Sequence, residues 1–148
     1  MTRERVLVGV RAAWVLVVAA GLAFDAYVHF HLAGTYDVIK TSALSQGDLF
    51  RAEGSVAILA ALAVLARPRR YTAALAFLVA ASALGVVLLY RFVNVGRLGP
   101  VPSMYEPTWY PEKLQAAWAE AAALVASAAV FGLVRPRARE TVGASGAN

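Results

Sequence analysis

Four long apolar stretches dominate the hydrophobic pattern of this chain, and each is close to the length of a membrane-crossing helix. They cover residues 12–32, 49–66, 71–90 and 114–134. A helix needs about 20 mainly apolar residues to cross a hydrocarbon core roughly 30 Å thick. The third stretch contains no charged residue, and the other three are each interrupted by charged residues at one or two positions. The pattern predicts an all-α, polytopic membrane protein built as a four-transmembrane-helix bundle.

The basic residues predict how this bundle is oriented. Those on the side of the two termini outnumber those on the side of the two longer connections. The first group is Arg3, Arg5, Arg11, Arg67, Arg69, Arg70, Arg135, Arg137 and Arg139, and the second is Lys40, Arg51, Arg91, Arg97 and Lys113. The positive-inside rule then places both termini in the cytoplasm and the protein in the cytoplasmic cell membrane. An alternative with residues 1–23 as a cleaved signal peptide is disfavoured, because Arg11 interrupts its apolar region.

The segments between the apolar stretches predict the organisation of the chain. The turn at residues 67–70 is short and basic, so the second and third helices should be antiparallel neighbours. The connection at residues 93–113 is rich in proline and glycine and contains aromatic residues, which we expect at a membrane interface rather than in a ligand-binding lid. Residues 1–138 form the predicted transmembrane domain. The small, polar residues 139–148 are expected to be a disordered cytoplasmic tail.

Composition narrows the classes of protein and partner. Of 148 residues, 60% are hydrophobic and only 16% are charged, which is unlike a soluble domain. The absence of cysteine excludes disulfides, thiolate metal sites and thiol catalysis. The net charge of +5 comes from arginines at the ends of apolar stretches, which indicates topology rather than nucleic-acid binding. The expected partner is the lipid bilayer; a homo-oligomer or a membrane-protein partner is left open, and nucleic acid is not expected.

Three carboxylates inside the apolar stretches are the best indication of a site. Asp25 lies 14 residues after Arg11, Glu53 lies 14 before Arg67, and Glu120 lies 15 before Arg135. At about 1.5 Å per residue these intervals correspond to about 21 to 23 Å, so the three acids should share one layer nearer the outer face. Charged groups in hydrocarbon are costly and normally face the interior of a bundle.

Candidate partners for the acids lie close to them in sequence. His29 shares a helix face with Asp25, whereas His31 points elsewhere. Arg51 and Arg91 stand near the same ends of the second and third helices and are natural counter-ions. Three acids would then face two arginines and a titratable histidine, so the charges nearly balance. The first hypothesis is therefore a structural charge-pair network that fixes the rotation of the helices.

The same residues support an alternative hypothesis, in which the layer of acids is a site. Asp25, His29, Glu53, Arg91, Glu120 and Arg51 would then bind a small solute, or serve a proton-coupled carrier. An Asp/His/Glu/Glu set also has the mixed oxygen and nitrogen ligands that suit a divalent metal such as zinc, manganese or iron. No other cofactor is predicted. Recognisable catalytic motifs are missing, so an enzyme is the less favoured class and no catalytic residue is named.

One segment carries a resemblance to a known type of protein. Residues 25–39, Asp-Ala-Tyr-Val-His-Phe-His-Leu-Ala-Gly-Thr-Tyr-Asp-Val-Ile, are followed by Gly47-Asp-Leu-Phe50 and an alanine-rich stretch. This segment resembles an uncharacterised family of small four-helix integral membrane proteins from high-GC, actinobacterial-type bacteria. The resemblance covers residues 25–65 and implies fold and location only. The DoxX-like and sigma-2-receptor-like bundles are analogies of architecture.

Overall fold

The computed structural model describes residues 2–134, which form four α-helices. Helix α1 spans Arg3–Tyr36, α2 spans Gln46–Ala66, α3 spans Arg70–Phe92 and α4 spans Pro111–Leu133. The predicted all-α, four-helix architecture is confirmed, and each helix is long and apolar enough to cross a membrane. The predicted tail at residues 139–148 lies outside the described residues.

All four helices begin before their predicted stretches, and α1 and α3 also end beyond theirs. Helix α1 has 34 residues, about 51 Å, because Arg11 interrupts the apolar pattern without breaking the helix. Helix α2 begins three residues before the predicted boundary. Its first turn is closed by a capping box, in which Ser45 Oγ accepts from the Asp48 N–H and the Asp48 carboxylate accepts from the Ser45 N–H. Helix α4 begins at Pro111, where a fixed φ favours the first helical position.

Large side chains cover the outside of the bundle and small ones fill its interior. Leu59, Leu78 and Trp118 are 65%, 61% and 70% exposed, whereas buried alanines such as Ala57 and Ala76 form much of the core. A soluble bundle shows the reverse distribution, because its core gains stability from burying large apolar groups. Small residues at helix contacts are typical of membrane bundles, where close packing replaces the hydrophobic effect.

The four helices do not pack equally against their neighbours. Helix α1 packs extensively on α2 and on α4, and α3 packs extensively on α4. The remaining neighbours, α2 and α3, are joined by a short turn, yet they share the smallest contact of the four adjacent pairs. We call the end with this turn, the start of α1 and the end of α4 the turn end, and the opposite end the loop end. The line between α2 and α3 is the seam.

Helices α1 and α4 approach most closely at Gly21. A β-carbon at this position would stand 2.9 Å from the backbone oxygen of Ala119 and 3.1 Å from the Ala123 side chain. Only glycine therefore permits this separation of the two helices. Asp25 lies one turn from Gly21, and Glu120 lies between the two alanines, so the contact also sets the distance between the acids. Gly85, in contrast, is exposed on α3, and no described atom lies within 4 Å of its β-position.

We expect Gly21→Ala to lower the free energy of unfolding by about 1 to 3 kcal/mol, the usual cost of inserting atoms where no space exists. Gly85→Ala is the matched control and should leave stability unchanged or raise it slightly, since alanine is the better helix former. Denaturant titration of both variants in the same detergent measures the difference. Equal effects at the two positions would show that α1 and α4 do not depend on this contact.

The connection between α1 and α2 is held at the loop end by Asp37. Its carboxylate accepts from Arg51 at 2.7 and 2.8 Å and from Ser45 Oγ at 3.1 Å. The Arg51 hydrogen bond, followed by the one from Ser45, holds the pKa of Asp37 below its ordinary value of 3.8. Both charged side chains are nearly half exposed, so the pair orders the connection more than it stabilises the fold.

A lowered pKa in the folded state predicts how stability depends on pH here. The contribution of the Asp37 pair is complete above pH 3.8 and is lost as the pH falls through the lower, folded-state pKa. Arg51→Gln should therefore lower the thermal midpoint slightly at pH 7, and the difference from the parent protein should shrink below pH 3.8. Arg97→Gln removes the same charge at the same end and should show no such pH dependence. A constant difference across this range would contradict the assignment.

Candidate functional site

The structure brings three of the predicted site residues together inside the bundle. Asp25 and His29 project from α1, and Glu120 projects from α4. Ligand atoms from these three side chains lie within 4.8 Å of one another. Asp25 and His29 meet because they are four residues apart on one helix. Glu120 joins them because Gly21 lets α4 approach α1 at this depth. We call these three residues the buried cluster.

The carboxylates of the buried cluster are enclosed and poorly satisfied. Asp25 and Glu120 are both 0% exposed. Within residues 2–134, none of their four carboxylate oxygens takes part in a hydrogen bond of good geometry. The shortest contact joins Asp25 Oδ1 to His29 Nδ1 at 2.9 Å, and this nitrogen also lies 3.0 Å from the Asp25 backbone oxygen. Unsatisfied polar groups in a protein interior are costly, and one explanation is an unseen ligand or ion.

A cavity of about 550 Å³ lies directly on the loop-end side of the buried cluster. His29 and Glu53 line it, as does Ala116, which lies one turn of α4 nearer the loop end than Glu120. Most other lining side chains are apolar and belong to the facing sides of α2 and α3. Val56 of α2 and Val86 of α3 both line the cavity and are about half exposed. Because α2 and α3 share the smallest contact of the adjacent pairs, the cavity lies along the seam.

The polar groups inside this cavity are mainly hydrogen-bond acceptors. Glu53 Oε1 and Gln46 Oε1 are buried without a hydrogen-bond partner among the described residues. Lys113 also reaches the cavity, but its ammonium already donates to the backbone oxygens of Glu106 and Thr108. Glu53 interacts electrostatically with Asp25 and His29. The cavity thus combines apolar walls with an electronegative end.

The segment between α3 and α4 closes the loop end of the cavity. Leu98, Val101 and Met104 contribute apolar lining. Thr41 Oγ1 donates to the Pro100 backbone oxygen at 2.7 Å, which ties the two loops together. Tyr110, expected at a membrane interface, lines the cavity, and it accepts a hydrogen bond from Tyr36 at 2.8 Å. Burial raises the pKa of Tyr110 and keeps its hydroxyl neutral.

The two expected counter-ions lie away from the buried cluster. Arg51 forms its ion pairs with Asp37 and Asp48. The guanidinium of Arg91 stacks 5.1 Å from the Phe92 ring and 5.7 Å from the Trp109 ring. The ion pairs found within residues 2–134 join neither arginine to Asp25, Glu53 or Glu120. The arginines therefore do not supply the charge balance expected from the sequence.

Two further side chains define how the site is oriented. His31 is exposed on another face of α1 and stacks 5.9 Å from the Tyr27 ring, as its spacing predicts. Sequence reasoning did not identify Phe50 of α2, whose ring meets the His29 ring edge-on at 5.2 Å and fixes the imidazole plane. The feature of the sequence that could have identified Phe50 is its position in the Gly47-Asp-Leu-Phe50 motif.

Comparisons of the chain with protein-family models, curated proteins and solved structures found no match. The resemblance of residues 25–65 to a family of small four-helix membrane proteins stays a prediction. The site is therefore interpreted from its own contacts and charges.

The stability of a Glu120 variant distinguishes a charge-pair network from a site. Breaking a buried ion pair usually costs about 3 to 5 kcal/mol. Because Glu120 has no ion-pair partner within the described chain, we expect Glu120→Gln to keep the free energy of unfolding within about 1 kcal/mol of the parent value, or to raise it. Glu112→Gln, at the start of the same helix, is the control for charge. A loss of several kcal/mol specific to Glu120 would support the charge-pair network.

Proposed function

We propose that this chain is a multi-pass protein of the cytoplasmic membrane that binds an amphiphilic amine in the cavity at the seam. The ligand has an apolar body and a protonated nitrogen. The carrying observation is the combination in one cavity of apolar walls, a position along the seam and the unpartnered carboxylate oxygen of Glu53. Such a pocket, mostly apolar with a few convergent polar groups, is the usual form of a small-molecule site.

The distribution of arginines supports a cavity on the outer side of the membrane. Arg67, Arg69 and Arg70 lie at the turn end with the N-terminal Arg3 and Arg5. This end would face the cytoplasm under the positive-inside rule, with both termini inside. The loop end, with the cavity, would then lie in the outer leaflet, and the exposed leucines and valines along the helices would contact lipid.

The position of the cavity along the seam supports a ligand that arrives from the bilayer. Val56 of α2 and Val86 and Leu89 of α3 line the cavity and are partly exposed, and these two helices share the smallest contact of the adjacent pairs. An apolar chain can enter between α2 and α3 without leaving hydrocarbon. Its polar end would then reach Glu53, which is positioned by helix α2 rather than by the loops.

The charge of the site favours an amine over an acid or a neutral lipid. Glu53 lies near Asp25 and Glu120, and no described arginine forms an ion pair with any of the three. A protonated amine would donate a hydrogen bond to the free oxygen of Glu53 and reduce the like-charge repulsion. This arrangement favours the site hypothesis over the charge-pair network. Catalysis is not proposed.

Binding of three ligands with the same chain length tests the proposal. Dodecylamine, 1-dodecanol and dodecanoic acid differ only in the polar end. Native mass spectrometry of the detergent-solubilised protein should show the amine bound most tightly and the acid most weakly. Indifference to the head group, or a preference for the acid, would overturn the proposal.

Two variants locate amine binding in the cavity. Glu53→Gln should weaken amine binding by about tenfold or more, since a hydrogen bond to a charged group is worth about 1.5 to 3 kcal/mol. Val86→Trp should block the cavity for all three ligands. Glu112→Gln removes the same charge outside the cavity lining and should bind the amine as the parent does. Equal affinity in all of these proteins would place the amine elsewhere.

A further inference from the structure

We infer that Asp25, His29 and Glu120 form a binding site for a divalent first-row transition metal ion, with zinc as its representative. The site lies one helical turn below the floor of the cavity. It is distinct from the amine-binding position at Glu53 and does not depend on the proposed function.

The protein supplies a set of donors that suits such an ion. Two carboxylates and one imidazole provide mixed oxygen and nitrogen ligands, which first-row transition ions accept. Calcium takes six to eight oxygen ligands, so three side chains that include an imidazole do not suit it. Three protein ligands with a free fourth position are the usual arrangement of a zinc ion that remains accessible.

The distances are compatible with one shared ion. Two ligand atoms that each lie about 2.1 Å from a tetrahedral zinc ion stand about 3.4 Å apart. The ligand atoms of Asp25, His29 and Glu120 already lie within 4.8 Å of one another. Side-chain rotations that move these atoms by about 1 Å would therefore complete the site, while the three helical backbone positions stay in place.

Burial and charge provide an independent argument for a cation. Both carboxylates are 0% exposed, and within the described residues their oxygens make no hydrogen bond of good geometry, the nearest donor being His29 Nδ1 at 2.9 Å from Asp25 Oδ1. With both carboxylates ionised and the imidazole neutral, the cluster would carry two negative charges, which one divalent ion balances. Metal binding requires this combination of ionised carboxylates and neutral imidazole.

The structure also provides a route to the site and a support for its imidazole. His29 belongs to the buried cluster and also lines the cavity, so an ion that enters through the cavity meets this residue first. The edge of the His29 ring rests against Phe50, which limits its rotation. Such support around a ligand commonly determines metal affinity.

Metal titration of the full chain without an affinity tag tests the inference. After chelator treatment, we expect one equivalent of zinc to bind saturably in competition with a chromogenic chelator. Cobalt should produce visible absorption bands of a low-symmetry nitrogen and oxygen site, and zinc should raise the thermal midpoint. A failure to observe saturable binding of either ion would overturn the inference.

Variants assign the metal to the buried cluster. Asp25→Asn, His29→Gln and Glu120→Gln should each weaken zinc binding by at least tenfold and abolish the thermal shift. His31→Gln removes an exposed histidine from the same helix, and Glu53→Gln removes a nearby acid; both should bind zinc as the parent does. Helical circular dichroism and gel filtration identify any variant that does not fold, and the remaining two then carry the test. Unchanged binding in the folded cluster variants would overturn the site.

The amine and metal experiments can fail separately. Glu53→Gln should weaken amine binding while leaving zinc affinity unchanged, because Glu53 lines the cavity but does not belong to the buried cluster. Zinc binding with no amine binding would overturn the proposed function alone. Amine binding that persists when zinc does not bind would overturn the metal site alone.

Discussion

The close contact between α1 and α4 is the constraint on which the rest of the site depends. Gly21 has no side chain, so the backbone oxygen of Ala119 can lie against α1. This approach places Asp25 and Glu120 in one enclosed space, where water cannot solvate either carboxylate. The same contact therefore tightens the bundle and holds two buried carboxyl groups close together. A cation at this position would relieve the repulsion without any change in helix packing.

The small contact between α2 and α3 has the opposite effect and leaves space within the bundle. Helix α1 holds α2, and α4 holds α3, so the seam can remain loosely packed without loss of the overall arrangement. Val56 of α2 and Val86 of α3 both line the cavity along this seam. The close contact of α1 with α4 and the small contact of α2 with α3 thus place an electronegative cluster beneath an apolar cavity.

The positions of the arginines show why charge counting along the sequence was insufficient. Arg51 lies only two residues from Glu53, but side chains two positions apart on a helix point in different directions. Its side chain reaches Asp37 in the preceding connection, a partner 14 positions away in sequence. Arg91 stacks on aromatic rings rather than pairing with an acid. Both outcomes depend on how the connections fold back over the helix ends, which hydrophobic periodicity does not specify.

The sequence by itself determined the four helices. Each apolar stretch is about 20 residues long, which is enough to cross the membrane, and a helix forms all of its backbone hydrogen bonds within the segment. It also indicated the common depth of Asp25 and Glu120 and the shared face of Asp25 and His29, since both follow from helical rise and rotation. Only the tertiary structure decided which acids meet, where the arginines pair and where the cavity lies. Those properties depend on interhelical distances, which are set by side-chain volumes on two helices at once.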